Sequence, residues 1–336
     1  MSESKAKVIM LRPGIAAPNL APRMGTVNLR ERGGVVYREL RARSLLNRCD
    51  SPRMPFEWTV NPYRGCAMGC RYCYAAYTHE FMGIATPEAF HSTVFVKRGA
   101  EAETARRMAP VVRRGQRIAL GTATDPYQPA EAQERVTRRF LEAVVQHRDV
   151  RLGITTKGAI ILRDLDLLRR IHARSSLTIQ VSLISLDAEL LRRVEPWAPP
   201  PEVRIEVLRR LTEAGLRVGI SVAPILPAIT DSERGLDALL GHAAEVGVRR
   251  MSFSILFLRS PTREKYLRWI EAAFPRYLEA YREAYRGRVY LIGGYRERIR
   301  RRVARLREKH GLDSRFDDGG AAARLPSPAR QLRLWG

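Results

Sequence analysis

Long hydrophobic runs are missing from this chain. No stretch approaches about 18 uninterrupted apolar residues, which argues against a membrane-spanning helix. The first thirty residues also lack the basic start, apolar run and small-residue cleavage site of an export signal, so the expectation is a soluble, cytoplasmic protein without membrane contact. Cysteine is scarce as well. Only four occur in 336 residues, three of them between positions 66 and 73; that is a poor disulfide framework, and a reducing compartment would leave these thiols available to a metal. Lysine is nearly absent: Lys5, Lys7, Lys97, Lys157, Lys265 and Lys309 are the only six among 59 basic residues. Arginine therefore carries almost all of the net charge of +24. Such an excess attracts phosphate backbones, or it reflects coding bias, since the basic positions are spread widely and are not interleaved with aromatics as a base-stacking surface would be.

What the chain does have is length and alternation. With 45% hydrophobic residues it can bury a core without disulfides or metals as staples. Residues 1–54 hold Gly14, Pro18, Pro22, Gly25, Gly33 and Gly34 with weak periodicity, and are expected to form an irregular N-terminal extension. From residue 57 onward short β-rich runs alternate with amphipathic ones. Candidate strands fall at 57–61, 117–121, 151–155, 178–182, 217–223 and 251–257. Candidate helices fall at 74–83, 100–113, 137–146, 162–173, 201–214 and 232–246, with helical spacing at Leu165, Leu168 and Ile171 and at Val203, Val207, Leu208 and Leu211. Six such units in succession imply a parallel sheet joined by right-handed crossovers. The expected class is α/β, a partial (β/α)6 TIM-like barrel over residues 55–260, either an incomplete barrel or a curved open sheet. A C-terminal helical segment should follow over 261–312, with a long helix at 264–286, a strand-like run at 289–292 and a basic helix at 296–309. Residues 313–336 read as a flexible tail from their Asp, Gly and Pro content.

The decisive stretch is Asn61-Pro62-Tyr63-Arg64-Gly65-Cys66-Ala67-Met68-Gly69-Cys70-Arg71-Tyr72-Cys73-Tyr74. Three thiolates at Cys-x3-Cys-x2-Cys spacing can face one centre if the loop wraps around it, and Gly65 and Gly69 supply the backbone freedom. The loop directly follows the first candidate strand. That places it at the C-terminal mouth of a barrel, where chemistry collects in this architecture. Thiolates suit iron–sulfur clusters and zinc alike. A structural zinc site closes with four ligands, and His79 or Cys49 could supply the fourth, giving a non-catalytic, zinc-stabilised nucleic-acid-binding protein as the alternative. A three-ligand [4Fe–4S] cluster instead leaves one iron open to bind a substrate.

Cys66-x3-Cys70-x-Tyr72-Cys73 after the first strand resembles the signature of the radical S-adenosylmethionine (radical SAM) superfamily. The resemblance implies that Cys66, Cys70 and Cys73 hold a [4Fe–4S] cluster and that the amino and carboxylate groups of S-adenosylmethionine chelate its fourth iron. An electron from the reduced cluster then breaks a carbon–sulfur bond, leaving methionine and a 5′-deoxyadenosyl radical, and the electron comes from a reducing partner such as flavodoxin or ferredoxin. Tyr72 would pack near the cluster or adenine. In Gly121-Thr122-Ala123-Thr124-Asp125-Pro126-Tyr127-Gln128-Pro129, the hydroxyls of Thr122 and Thr124 and the carboxylate of Asp125 could hold the methionine ammonium; a Pro-rich turn capping the next helix reads equally well. Lys157, at the end of the third strand, is placed to pair with the methionine carboxylate. Ser182 and Ser185, ending the fourth, could bond that carboxylate or the ribose. Ala223 and Pro224 lie on a strand similar to the superfamily's adenine-contacting strand, although a buried core strand looks much the same.

Within the superfamily, residues 55–258 most resemble the spore photoproduct lyase-like branch, also called DNA repair photolyase-like proteins. The stretches 61–66 and 125–129 and the pair Thr156-Lys157 carry that likeness. Those lyases use a cysteine beyond the cluster motif to supply a hydrogen atom, and this sequence has none after Cys73. Tyr74 matches a tyrosine that the lyases use to relay a hydrogen atom. The resemblance and the basic charge together imply nucleic acid as a possible partner.

Overall fold

A computed structural model describes residues 28–32, 34–52, 54–82, 84 and 88–313. The expected tail at 313–336 lies, from residue 314, outside the described residues, as do residues 1–27. Eleven strands are present among them: β1 (Asn28–Arg32), β2 (Val35–Arg41), β3 (Leu46–Arg48), β4 (Trp58–Val60), β5 (Tyr63–Arg64), β6 (Thr93–Arg98), β7 (Arg117–Leu120), β8 (Arg151–Thr156), β9 (Ser176–Ser182), β10 (Val218–Ile225) and β11 (Met251–Ile255). The main sheet has the order β11-β10-β9-β8-β7-β4-β3. Its six strands from β4 to β11 run parallel, and β3 pairs antiparallel with β4 at one edge. These six strands coincide with the six candidate strands. The sheet is open, a partial (β/α)6 barrel, and it keeps its chemistry-bearing loops at the C-terminal strand ends.

The helices are α1 (Ala89–Ser92), α2 (Glu101–Arg113), α3 (Glu131–Glu134), α4 (Val136–Val145), α5 (Leu165–His172), α6 (Ala188–Val194), α7 (Pro201–Glu213), α8 (Glu233–Glu245), α9 (Thr262–Ala273), α10 (Leu278–Ala284) and α11 (Gly294–Lys309). Their apolar stripes form the core. In α4, Val136, Phe140, Leu141 and Val144 are buried at helical spacing, and in α5 Leu167, Leu168 and Ile171 are buried. β10 is covered on both faces, with the consecutive residues Val218, Gly219, Ile220, Ser221 and Val222 all buried, the pattern of an interior parallel strand. No helix among the described residues is long and apolar enough to cross a membrane.

Four features depart from the expectations. The region 28–48 is not irregular. β1, β2, β6 and β5 form a second, four-stranded sheet, which buries Val35, Tyr37 and Leu40, while β3 joins the main sheet. The boundary expected at residue 54 therefore falls inside the antiparallel β3–β4 pair. β1 and β2 form a local antiparallel hairpin and β2 pairs in parallel with the distant β6. The long helix expected at 264–286 is two helices: Phe274 leaves the helical region at φ −145°, ψ 59°, and Pro275 has no N–H to continue the ladder. The strand-like run at 289–292 makes only one isolated bridge, Phe257 to Tyr290. The helix expected at 74–83 is a 3-10 segment, Tyr74–Met82.

The C-terminal helices pack on the strand ends through buried tyrosines. Tyr281 donates to the Pro227 carbonyl and Tyr285 to the Leu256 carbonyl, each at 2.7 Å. α11 is fastened to α8 by Lys309 and His310 on Asp237, each at 2.7 Å.

Candidate active site

The three clustered cysteines follow β4 and β5 on a loop at the C-terminal edge of the main sheet. Cys66 and Cys70 are buried and Cys73 is half-buried. The loop is fixed by backbone bonds: Cys66 N–H donates to the Phe90 carbonyl at 3.0 Å, Arg71 N–H to Val194 at 2.9 Å and Cys73 N–H to Cys70 at 3.2 Å. Gly65 (φ +85°) and Gly69 (φ +71°) turn the chain through the left-handed region. At Gly65 a Cβ would meet the Phe90 carbonyl oxygen at 3.0 Å and that of Thr93 closer still, and at Gly69 it would meet the Trp197 ring at 2.5 Å. Only glycine lets the loop wrap this tightly.

The loop after β7 holds the cysteine loop from beneath. Gln128, fully buried, accepts from Ala67 N–H at 2.9 Å and donates to the Gly65 carbonyl at 3.1 Å and to Thr124 Oγ1 at 2.9 Å. Thr124 Oγ1 donates to the same Gly65 carbonyl at 2.6 Å. Asn61 bonds Thr122 Oγ1 at 3.0 Å and accepts from Ala123 N–H at 2.8 Å. On the far side Thr262, at the start of α9, donates to the Cys73 carbonyl at 2.8 Å.

A buried polar group missed by sequence reasoning lies against the cysteines. Glu195, after α6, accepts from the Tyr72 hydroxyl, pairs with Arg204 at 2.5 Å and lies 4.0 Å from Lys157 Nζ. Arg204 occupies the apolar stripe of α7 where Val203 was expected, because it is matched to Glu195 and to the carbonyls of Pro199 at 2.6 Å and Ser182 at 3.1 Å. Burial alone would raise the Glu195 carboxyl, but Arg204 and Lys157 outweigh it and hold it below its usual range. Burial alone would likewise lower the Lys157 ammonium; the charges of Cys70 and Glu195 raise it instead. No sequence pattern marks Glu195, which sits in a turn between helices.

The other expected site residues divide. Asp125 is half-buried and its carboxylate is engaged by the neighbouring loop: Oδ1 accepts from Thr156 Oγ1 at 2.6 Å and Tyr127 N–H at 2.9 Å, and Oδ2 accepts from Lys157 N–H at 2.7 Å. Its carboxylate fixes the turn that carries Lys157. Thr122 and Thr124 are engaged in loop bonds as described. Lys157 Nζ stands 5.7 Å from the Tyr72 ring centroid. Ser182 Oγ, at the end of β9, is buried and has no hydrogen-bond partner. Ser185 accepts from Asp187 N–H at 3.1 Å, the geometry of a turn leading into α6. Ala223 and Pro224 are half-buried at the end of β10, where the pairing with β11 shifts register between Val222 and Ile225. Tyr74 is 44% exposed; its hydroxyl donates to the Thr122 carbonyl and its ring lies 5.4 Å from that of Phe257.

Three thiols are a donor set that either a cluster or a single ion accepts. Among the described residues no group of three or more His, Cys, Asp or Glu side chains is placed to hold one metal ion. His79 Nε2 bonds the Thr93 carbonyl at 3.0 Å and its ring packs on Phe90 and Phe95. Burial lowers it to about 4. Cys49 follows β3 and donates its N–H to the Glu57 carbonyl at 2.8 Å, at the opposite end of β4. The His79 ring lies beside Gly65, where an added Cβ would meet its Cε1 at 3.1 Å, whereas Cys49 stands away from the cysteine loop. Burial pushes the Cys66 thiol well up and Cys70 up to about 12, so iron must displace their protons for thiolate ligation. Three thiols beside the half-buried Lys157 ammonium and the orphaned Ser182 hydroxyl are a donor set that a three-ligand [4Fe–4S] cluster and a carboxylate-bearing ligand would fit.

A parallel open sheet with a three-cysteine loop after its first strand defines a class, and the Radical SAM superfamily model matches residues 60–240: the chain belongs to that superfamily, whose members use [4Fe–4S] clusters and S-adenosylmethionine. Its relatives include an uncharacterised protein of Mycobacterium tuberculosis, 37% identical over 280 residues and covering 83% of this chain and 82% of the relative. An uncharacterised protein of Methanocaldococcus jannaschii is 26% identical over 180 residues, 53% of this chain and 63% of that protein. Among solved structures, spore photoproduct lyase complexed with dinucleoside spore photoproduct superposes with a TM-score of 0.61 at 18% identity, covering 82% of this chain and 80% of the lyase. That likeness is one of fold.

Proposed function

We propose that this chain is a radical SAM enzyme that holds a [4Fe–4S] cluster on Cys66, Cys70 and Cys73 and binds S-adenosylmethionine across the C-terminal ends of β7 to β10. The observation that carries the reading is the pairing of the three-cysteine loop with the half-buried Lys157 ammonium and the unpartnered Ser182 hydroxyl. When bound, the reduced cluster supplies the electron that breaks a carbon–sulfur bond of S-adenosylmethionine, leaving methionine and a 5′-deoxyadenosyl radical. Lys157 supplies the positive charge for the methionine carboxylate, and Ser182 Oγ a second polar contact. Asp125 acts one step back, fixing the Lys157 backbone. The half-buried Ala223 and Pro224 offer apolar surface for a flat ring. Tyr72, tied to Glu195, closes the space behind the cysteine loop and keeps water from it, which is the protein's share in cofactor chemistry of this kind.

The reading is tested by anaerobic reconstitution followed by a 5′-deoxyadenosine assay under reductant. Wild type should form 5′-deoxyadenosine and the Cys70→Ala variant should lose both the brown chromophore and the product; retention of both by the variant overturns the ligand assignment. A flavodoxin or ferredoxin should replace the chemical reductant. The net charge of +24 supports a nucleic acid or nucleotide as substrate, and substrate affinity should then fall steeply with salt as counterions are released. Because no cysteine follows Cys73, a product radical would draw its hydrogen atom from another group, and Tyr74 stands at the cysteine loop for that role.

A further inference from the structure

Just beyond the end of β10 lies a second polar cavity, outside the cysteine site, of about 490 Å³. Such a volume suits a small ligand. It opens between the loop 228–232, the break between α9 and α10, and the first turns of α11, and three guanidinium groups line it: Arg276, Arg298 and Arg302. Two of these are laid over tyrosine rings. Arg276 stands 4.6 Å from the Tyr277 centroid and Arg298 5.1 Å from that of Tyr295. No carboxylate pairs with either among the described residues, in a chain where exposed arginines commonly find one, as Arg209, Arg282 and Arg286 do.

The cavity's own carboxylate is already engaged. Asp231 lines the cavity, is buried and accepts from the Tyr295 hydroxyl, and Arg302 donates to the Asp231 carbonyl. Glu233 outside it is engaged by Arg305 at 2.7 Å and lies 3.8 Å from Arg302. The wall is also set rigidly. Ala228 sits at φ +60°, unusual for a residue with a Cβ, and is held there by its N–H donating to Tyr295 Oη at 3.0 Å. The same tyrosine thus fixes the loop, Asp231 and the Arg298 fork.

We propose that this cavity binds a phosphate-bearing ligand, with Arg276 and Arg298 as its principal contacts and Arg302 as the third. Planar guanidinium forks stacked on rings keep their N–H edges free and pre-aligned, the arrangement that recognises phosphate oxygens bidentately. Arg276 and Arg298, with no carboxylate of their own, leave two positive charges in the cavity after Asp231 and Glu233 are set against Arg302 and Arg305, which favours a dianion over a single carboxylate. The site makes no use of the cysteine loop, so it stands whether or not the radical reading holds.

Titration calorimetry on the full-length reconstituted protein at low salt tests it with AMP, inorganic phosphate, a short single-stranded oligonucleotide and citrate. The expected result is that AMP or the oligonucleotide binds, that inorganic phosphate competes, and that the Arg276→Gln/Arg298→Gln double variant weakens binding about 10-fold or more while Arg301→Gln on the same helix does not. Tighter binding of AMP identifies a free nucleotide as the source of the phosphate, and tighter binding of the oligonucleotide identifies a strand. Failure of every phosphate probe to bind, equal binding by the double variant, or citrate binding as tightly as AMP overturns the proposal. Iron content, measured on the same samples, should be unchanged in the double variant, which separates this site's failure from failure of the cysteine site.

Discussion

Glu195 lies fully inside the protein and joins Tyr72, Arg204 and Lys157. Removing one partner from such a buried group leaves uncompensated charge, so Glu195→Gln should destabilise the fold by about 3 kcal/mol, read from urea denaturation at neutral pH; an unchanged midpoint would mean the network contributes nothing. The pH sign follows from its depressed carboxyl. Its stabilisation is complete above the unfolded value of about 4.3 and is lost as pH falls through the lower folded value, so the variant should show a flatter acid limb than wild type. Gly65 makes a second residue-scale test. Gly65→Ala meets backbone oxygen at a positive φ, whereas Gly34→Ala, at φ +73° with nothing within 4 Å, meets only the strain common to both. Gly65→Ala should lose bound iron on gel filtration and Gly34→Ala should retain it. Lys157→Ala should keep iron and sulfide yet bind S-adenosylmethionine about 10- to 100-fold more weakly, measured by equilibrium dialysis; unchanged affinity would remove Lys157 from the cofactor site.

Between elements, the cysteine loop is tied to the loop after β7 by several side chains, of which Gln128 makes the most bonds. Gln128 serves Ala67, Gly65 and Thr124 at once, so Gln128→Leu strands buried polar groups, each costing about 1–3 kcal/mol. The expected outcome is slower refolding of the site around iron and a shorter cluster lifetime in air, followed by loss of visible absorbance; a lifetime equal to wild type would show that the β7 loop is incidental. This level also shows what the sequence made legible. The six parallel strands and the helices between them announce themselves because interior strands are apolar runs and covering helices carry one apolar stripe. The cysteine trio is legible from spacing alone. Glu195 is not, because its partners Tyr72, Lys157 and Arg204 come from three different segments. Asp125 was legible as part of a strand-end loop, but its bonds to Thr156 and to Lys157 N–H, which position Lys157, were not. Ser185 likewise bonds within the turn that leads into α6.

Across the whole molecule, the second sheet changes where the fold begins. β2 lies between β1 and β6, and β6 also pairs with β5 next to the cysteine loop, so the N-terminal strands are continuous with the site. β2 does bury alternate residues at Val35 and Tyr37, but the glycines and prolines that precede it read as loop, which is why this sheet was not legible in the sequence. Deleting residues 1–42 should expose the β6 edge and the faces that cover Val35 and Tyr37, giving aggregated or protease-sensitive protein; a soluble, cooperatively unfolding truncation would show that the sheet is dispensable.

The central claim is that three cysteines hold a cluster whose remaining corner receives S-adenosylmethionine. Electron paramagnetic resonance of the anaerobically reduced protein tests this most directly, alongside iron and sulfide analysis. The account predicts about four iron and four sulfide per chain and a cluster signal that shifts when S-adenosylmethionine is added. Stoichiometric zinc without labile sulfide, or a cluster signal indifferent to S-adenosylmethionine, would contradict it.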